Sequence, residues 1–189
     1  MASDKIQVRA GIYLSSIRYP DKPALLKYLQ SPEIHENTLT IPFPYHESDA
    51  EWWLRQRLEH TLKVGTDVSF AIRDHNDEMI GSIGADSLEP GTTHRAELGY
   101  WLAKPYWGQG IMTNALSAYI NYAFDELRVT KLVAHVFVRN PASARVLENN
   151  GFKLEGQLRE HYLKNGQLLD ACIYGLLKRD WISSVSDRE

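Results

Sequence analysis

The stretch Gly99-Tyr-Trp-Leu-Ala-Lys-Pro-Tyr-Trp-Gly-Gln-Gly-Ile-Met-Thr113 carries an apolar run into a glycine turn and then into a helical pattern. Gly108 and Gly110 let the backbone approach a ligand closely. The first turn of a helix offers unpaired N–H groups and the positive end of its dipole, which attract an anion without any charged side chain. Behind the turn, Leu116, Tyr119, Ile120, Ala123 and Leu127 recur at the spacing of one helical face, so the pattern predicts a helix to about Glu126. Phosphate binding is the chemistry this arrangement suits. On its own a Gly-x-Gly is equally an ordinary turn.

The remaining composition narrows the field. Cys172 is the only cysteine, which excludes an intramolecular disulfide and a cysteine metal cluster; its setting reads as a buried thiol in a strand. A net charge of -3, spread along the chain without a basic block, argues against a nucleic-acid surface and leaves a small anionic ligand open. Charge in Met1 to Lys5 stands where a signal peptide needs its apolar run, and no stretch of about 18 apolar residues follows, so a cytosolic chain without a membrane span is expected. The 189 residues suffice to bury one core, and the expectation is one domain over residues 1–180 with a polar, loose tail over 181–189.

The elements that must position the glycine turn follow from pattern. Ile6 to Ile17 reads as a first strand, Ala24 to Gln30 as a short helix, and Ser31 to Ile34 as a further short turn or helix. Ile41-Pro-Phe-Pro-Tyr45 is extended because each proline biases its predecessor away from helix; it either lines a pocket or packs across the core. Ser48-Asp-Ala-Glu51 has the form of a capping box, with Leu54, Leu58 and Leu62 marking a helix to about Val64 and Trp52 and Trp53 at its core or rim. Val68, Phe70 and Ile72 alternate as a strand whose hairpin partner is Met79 to Ala85, and Pro90-Gly91 breaks the chain before the strand Ala96 to Leu102. Lys131 to Val138, rich in β-branched residues, reads as a central strand beside it. Asn140-Pro141 starts a short helix and Asn150-Gly151 stops it. Asn165-Gly166 joins the two last strands, Phe152 to Lys164 and Gln167 to Leu177, in a tight hairpin. The fold class is therefore α/β (α+β), a mixed sheet with helices on both faces.

Taken together, Ala96-Glu-Leu-Gly-Tyr-Trp-Leu102, Pro105-Tyr-Trp-Gly-Gln-Gly-Ile-Met-Thr113, Asn140-Pro-Ala-Ser143 and Leu147-Glu-Asn-Asn-Gly-Phe152 resemble the GNAT acyltransferase superfamily. Ile41 to Tyr45, Asp49-Ala-Glu-Trp52 and the hairpin Lys164 to Asp170 resemble its Rim-type branch, which acetylates N-terminal amines of ribosomal and other proteins. The resemblance covers nearly the whole chain. One departure is Pro105, where the phosphate loop of the superfamily often begins with Gln or Arg; backbone N–H groups do the binding in either case. A dinucleotide dehydrogenase is disfavoured, because the third glycine is missing and the pattern comes late in the chain.

The resemblance implies a mostly antiparallel central sheet split between two central strands, acetyl-CoA as co-substrate, no metal, and direct transfer to a primary amine in a ternary complex. It implies a pyrophosphate seat on Gly108, Gln109, Gly110, Ile111, Met112 and Thr113, with the pantetheine arm along the free edge of Tyr100, Trp101 and Leu102. An N–H near Trp101 or Leu102 is then placed to stabilise the tetrahedral oxyanion, a contribution of ~3 kcal/mol per donor. Glu97 is the first candidate to accept the proton of the amine, directly or through water, and equally a surface ion-pair partner. His135 reads as a packed core residue, while Glu160, His161 and Tyr162 are further candidates. Ser143 either serves the leaving thiolate from the first turn of its helix or only bonds Asn140; Asn140 caps that helix and is also a candidate for a pantetheine amide. Three acceptor readings stay open: a peptide or protein N-terminus, a small amine such as a polyamine, amino acid or aminoglycoside, and no acceptor at all in a non-catalytic acyl-CoA sensor. Monomer and homodimer are equally compatible with the sequence.

Overall fold

The computed structural model describes residues 5–86, 88, 91 and 93–186. Pro90 of the Pro90-Gly91 turn, Met1 to Asp4 and residues 187–189 of the tail lie outside the described residues. In chain order the strands are β1 (Ile6–Arg9), β2 (Ile12–Ser16), β3 (Ser69–Arg73), β4 (Met79–Asp86), β5 (Arg95–Leu102), β6 (Lys131–Phe137), β7 (Lys153–Lys164) and β8 (Gln167–Leu177). The helices are α1 (Lys22–Tyr28), α2 (Pro32–Asn37), α3 (Glu47–Val64), α4 (Ile111–Asp125), α5 (Pro141–Glu148) and α6 (Lys178–Ser186). The strands form one sheet in the order β1-β2-β3-β4-β5-β6-β8-β7. Every pairing is antiparallel except β5 with β6, which is parallel and stops after Arg95↔Lys131, Ala96↔Leu132 and Glu97↔Val133. Beyond Glu97 the two strands diverge, and this is the split on which the site is built.

Each face of the sheet has its own core. On one face α4 buries Ile111, Ala115, Leu116, Tyr119, Ile120 and Ala123 against Phe70, Ile83, Leu98, Leu132 and Val136. On the other, Leu25 of α1, Ile34 of α2 and Ala50 and Leu54 of α3 pack on Ala71 and Trp101. Burying a Leu or Ile side chain in this way is worth about 1.5–3 kcal/mol. Strand alternation assigns the residues to these faces: Leu98, Tyr100 and Leu102 belong to the α4 core, whereas Glu97, Gly99 and Trp101 turn towards α1–α3.

Four details differ from the sequence reading. The first strand is two, because Gly11, at φ +73°, turns the chain between β1 and β2. The capping box of α3 lies earlier than Ser48: the Asp49 carboxylate accepts the His46 N–H at 2.7 Å and His46 is the N-cap. Leu62 of α3 is 82% exposed, so the apolar stripe reaches the core only at Leu54. The segment after 177 is the helix α6, in which Trp181 is buried and its indole N–H donates to Asn121 Oδ1 at 2.8 Å. The Lys178 ammonium adds a second tie, donating to Phe124 C=O at 2.6 Å.

Candidate active site

The split opens a cavity of about 470 Å³ between β5 and β6. Its inner wall is Glu97 to Trp101 of β5 and His135 to Phe137 of β6, with Ser143 and Tyr162. A floor of small residues, Ser69, Ser82 and Gly84, lies against α3, and Thr38 to Pro42 with Tyr45, Trp52 and Trp53 complete the outer wall. Ile41-Pro42 therefore lines the pocket, and Trp52, 56% exposed, is a rim residue. Gly84 has no room for a side chain, since a Cβ there meets Ser69 Oγ at 2.1 Å; the floor is flat because β3 and β4 are packed this closely.

Backbone alternation decides which groups face the split. Ala103 N–H bonds Ile80 C=O at 2.8 Å, in register with Trp101↔Ser82 and Gly99↔Gly84. The main-chain groups of the odd residues thus belong to β4, and those of Leu98, Tyr100 and Leu102 turn towards β6, where the Leu98 N–H closes the last pair and pairing ends. Leu102 C=O is taken by the Trp107 indole N–H at 2.7 Å. The backbone edge available to an added strand is therefore the Leu98 C=O, both groups of Tyr100 and the Leu102 N–H, since the Leu98 N–H closes the Glu97↔Val133 pair on Val133 C=O and the Trp101 N–H is committed to β4.

At the end of that edge, Gly108 and Gly110 stand at φ +71° and +72°, and the space above each is open. Gly110 is the N-cap of α4 without any side-chain cap. The first backbone bond of this helix is Asn114 N–H to Gly110 C=O at 3.1 Å, so the N–H groups of Ile111, Met112 and Thr113 precede the ladder. Gln109 shapes the loop through its side-chain bond to Pro105 C=O (3.0 Å), and its own C=O accepts the Arg9 guanidinium at 2.8 Å. Ile111 and Met112 bury their side chains beneath the loop, leaving their amides as the functional part. This geometry fits a pyrophosphate, which needs close backbone approach and several convergent donors.

Two side-chain clusters flank the split, one on each face. On the α4 face the Tyr100 hydroxyl lies 2.7 Å from Ser143 Oγ. Asn140 Oδ1 accepts the Ser143 N–H at 3.1 Å, so Asn140 caps α5 through the Ser143 backbone and leaves its hydroxyl to Tyr100. Burial pushes the Tyr100 phenol up to about 12, with the Ser143 hydrogen bond acting in the opposite direction, so it remains an O–H donor. On the opposite face Glu97 Oε1 is 2.8 Å from His135 Nδ1, and the Tyr162 hydroxyl is 3.0 Å from the same nitrogen. Burial, and then the Glu97 charge, raises the Tyr162 phenol. His135 is thus a wall residue with a 19% exposed side chain, a correction to its reading as packed core. Glu160 and His161 are exposed and do not line the cavity; Glu160 sits at φ +49° in a bulge of β7, its N–H bonded to Asp170 Oδ1 at 2.7 Å. Counting by twos places 133, 135 and 137 on one face of β6, but both faces of that strand are apolar, so the count alone does not single out His135.

A split sheet, a glycine-bounded helix start at the mouth of the split and polar clusters on its two faces define an acetyltransferase of the GNAT type. Residues 12–153 match the acetyltransferase (GNAT) domain family, and the chain belongs to that family. It is 29% identical over 168 residues to the uncharacterized N-acetyltransferase p20 of Bacillus licheniformis, covering 89% of this chain and 93% of that one. It is 38% identical over 98 residues to the ribosomal-protein-serine acetyltransferase of Escherichia coli, though that match spans only 52% of this chain and 54% of the relative. Among solved structures, the RimL ribosomal L7/L12 α-N-protein acetyltransferase in complex with coenzyme A superposes with a TM-score of 0.82 at 23% identity, over 92% of this chain and 98% of that one. The protein is an N-acetyltransferase. Among the described residues no helix is long and apolar enough to cross a membrane, and no cluster of three metal-ligating side chains occurs.

Proposed function

We propose that the protein transfers the acetyl group of acetyl-CoA directly to the α-amine of a peptide or protein N-terminus, in the cytosol, as a single domain. The observation that carries this reading is the split itself: a free strand edge at Leu98 and Tyr100, leading to the uncapped start of α4, with a carboxylate on one face and a hydroxyl pair on the other. The amides of Gly108 to Thr113 hold the pyrophosphate, and the Leu98–Leu102 edge pairs with the pantetheine amides. The Tyr100 N–H polarises the thioester carbonyl. Glu97 supplies the negative charge that the departing amine proton requires. Ser143, backed by Tyr100, donates a hydrogen bond to the leaving sulfur. An α-amine, with a pKa of about 8, already has a useful neutral fraction at pH 7, whereas a lysine has little, so modest base assistance suffices.

The test is thiol release from acetyl-CoA with purified protein against free N-terminal peptides, the same peptides N-acetylated, polyamines, amino acids and aminoglycosides. Turnover confined to free N-terminal peptides supports the proposal. Turnover on small amines alone replaces the acceptor class, and acetyl-CoA binding without turnover on any amine assigns a sensor.

A further inference from the structure

His135 of β6 and Glu97 of β5 reach across the split just beyond the last backbone pair, Glu97↔Val133. A carboxylate has no hydrogen to donate, so the 2.8 Å contact is favourable only when His135 Nδ1 carries the hydrogen of the imidazole. Nδ1 is also the nitrogen beside the Tyr162 hydroxyl, at 3.0 Å. Both fixed contacts therefore use one nitrogen, and in the neutral ring the other, Nε2, keeps its lone pair. The ring is clamped edge-on by Tyr162, with centroids 6.0 Å apart at 71°, and flanked by His161 at 5.6 Å. Its wall position gives the imidazole access to the cavity that Glu97, 45% exposed, shares with solvent.

Resting on the acetyl-transfer reading, we propose that His135 Nε2 is the base that removes the proton from the acceptor nitrogen, and that Glu97 acts through it by fixing the tautomer and balancing the imidazolium. The nitrogen lone pair forms the bond to the thioester carbonyl carbon, and the now cationic nitrogen gives its proton to Nε2. Collapse breaks the carbon–sulfur bond, and the thiolate leaves hydrogen-bonded to the Ser143 hydroxyl and takes its proton from water. One proton leaves nitrogen and one arrives at sulfur, so amine and thioester become amide and thiol without an outside reactant. The imidazolium returns its proton to water at the cavity mouth.

The test uses the full chain, acetyl-CoA and a synthetic peptide with a free N-terminal serine. His135→Ala is expected to lower kcat ~100-fold, within the usual range for general-base removal, with acetyl-CoA affinity unchanged within about 2-fold. Added imidazole restores turnover saturably, and more basic methylimidazoles restore more. Glu97→Gln loses less, and the double variant is no worse than His135→Ala, because the two act as a unit. His135→Gln provides the same comparison if the alanine variant melts early. Wild-type turnover with a histidine variant within about 3-fold of it, or with a loss that no imidazole restores while acetyl-CoA still binds, overturns the assignment. Absence of wild-type turnover on every amine overturns the acetyl-transfer reading, and the assignment with it.

Discussion

The hydroxyl of Tyr100 and the Oγ of Ser143 meet at 2.7 Å across the gap between β5 and α5, residues 43 apart in sequence and on the opposite face of the sheet from Glu97 and His135. Removing either hydroxyl breaks the pair from one end. Ser143→Ala is expected to lower kcat ~10- to 100-fold and Tyr100→Phe somewhat less, with a double variant close to Ser143→Ala alone. Steady-state thiol release, with acetyl-CoA affinity measured by calorimetry as the control, checks this. Additive losses would separate the two residues into independent roles.

Tyr100 also predicts a pH effect on stability. Its phenol is held at about 12 by burial, against about 10 in an unfolded chain, so the folded state holds that proton more tightly. The associated stability is fully present below pH ~10 and is lost as pH rises through about 12. Denaturant midpoints between pH 9 and 12 are expected to fall less steeply in Tyr100→Phe than in the wild type, and parallel slopes would rule out the buried phenol as the cause of the alkaline loss.

Gly110→Ala separates ligand affinity from backbone strain. The position has open space but a φ of +72°, so the cost to folding is the left-handed conformation, about 1–2 kcal/mol. Gly65, at the end of α3, has φ +76° and equally open surroundings. Both alanine variants are expected to lose similar stability in urea, while only Gly110→Ala weakens acetyl-CoA binding, by ~10-fold or more. Equal affinities for the two variants would remove the pyrophosphate from the start of α4.

Away from the site, Arg73 is fully buried and bonds both carboxylate oxygens of Asp21 (2.7 and 3.0 Å), the Ser15 hydroxyl (2.6 Å) and Ser16 C=O (3.0 Å). It ties β2 and β3 to the start of α1. Arg73→Ala leaves the buried Asp21 carboxylate with only the Arg18 N–H at 2.9 Å and the Arg18 guanidinium at 3.8 Å, and is expected to cost about 3 kcal/mol. Arg73→Lys recovers little, since an ammonium cannot reproduce the two-pronged geometry. Equilibrium unfolding measures both.

Much of this frame is legible in local pattern. The 3.6-residue stripe of α4, the Asn140-Pro141 start of α5 and the Asn165-Gly166 hairpin are short-range signals whose physics is complete within a few residues. The split follows from the family resemblance, because no local pattern encodes it. His135 is hidden in the sequence because β6 runs Leu-Val-Ala-His-Val-Phe, apolar on both faces as a central strand must be, so alternation gives no hint of which side opens. Tyr100 reads as backbone edge only, since its hydroxyl partner comes from another element. Trp101 reads as part of that edge, wrongly, because the hydrogen-bonding parity of a strand is fixed by its neighbour rather than by its own sequence.

Mechanically, the eight strands are two plates, β1–β5 and β6–β8, riveted along a seam only three residue pairs long. A ligand that adds its own amides beside Leu98 and Tyr100 lengthens that seam, so acetyl-CoA becomes part of the load path between the plates. Its arrival should stiffen the whole body rather than one loop: amide exchange slows in β5 and, through the plates, in strands the ligand never touches.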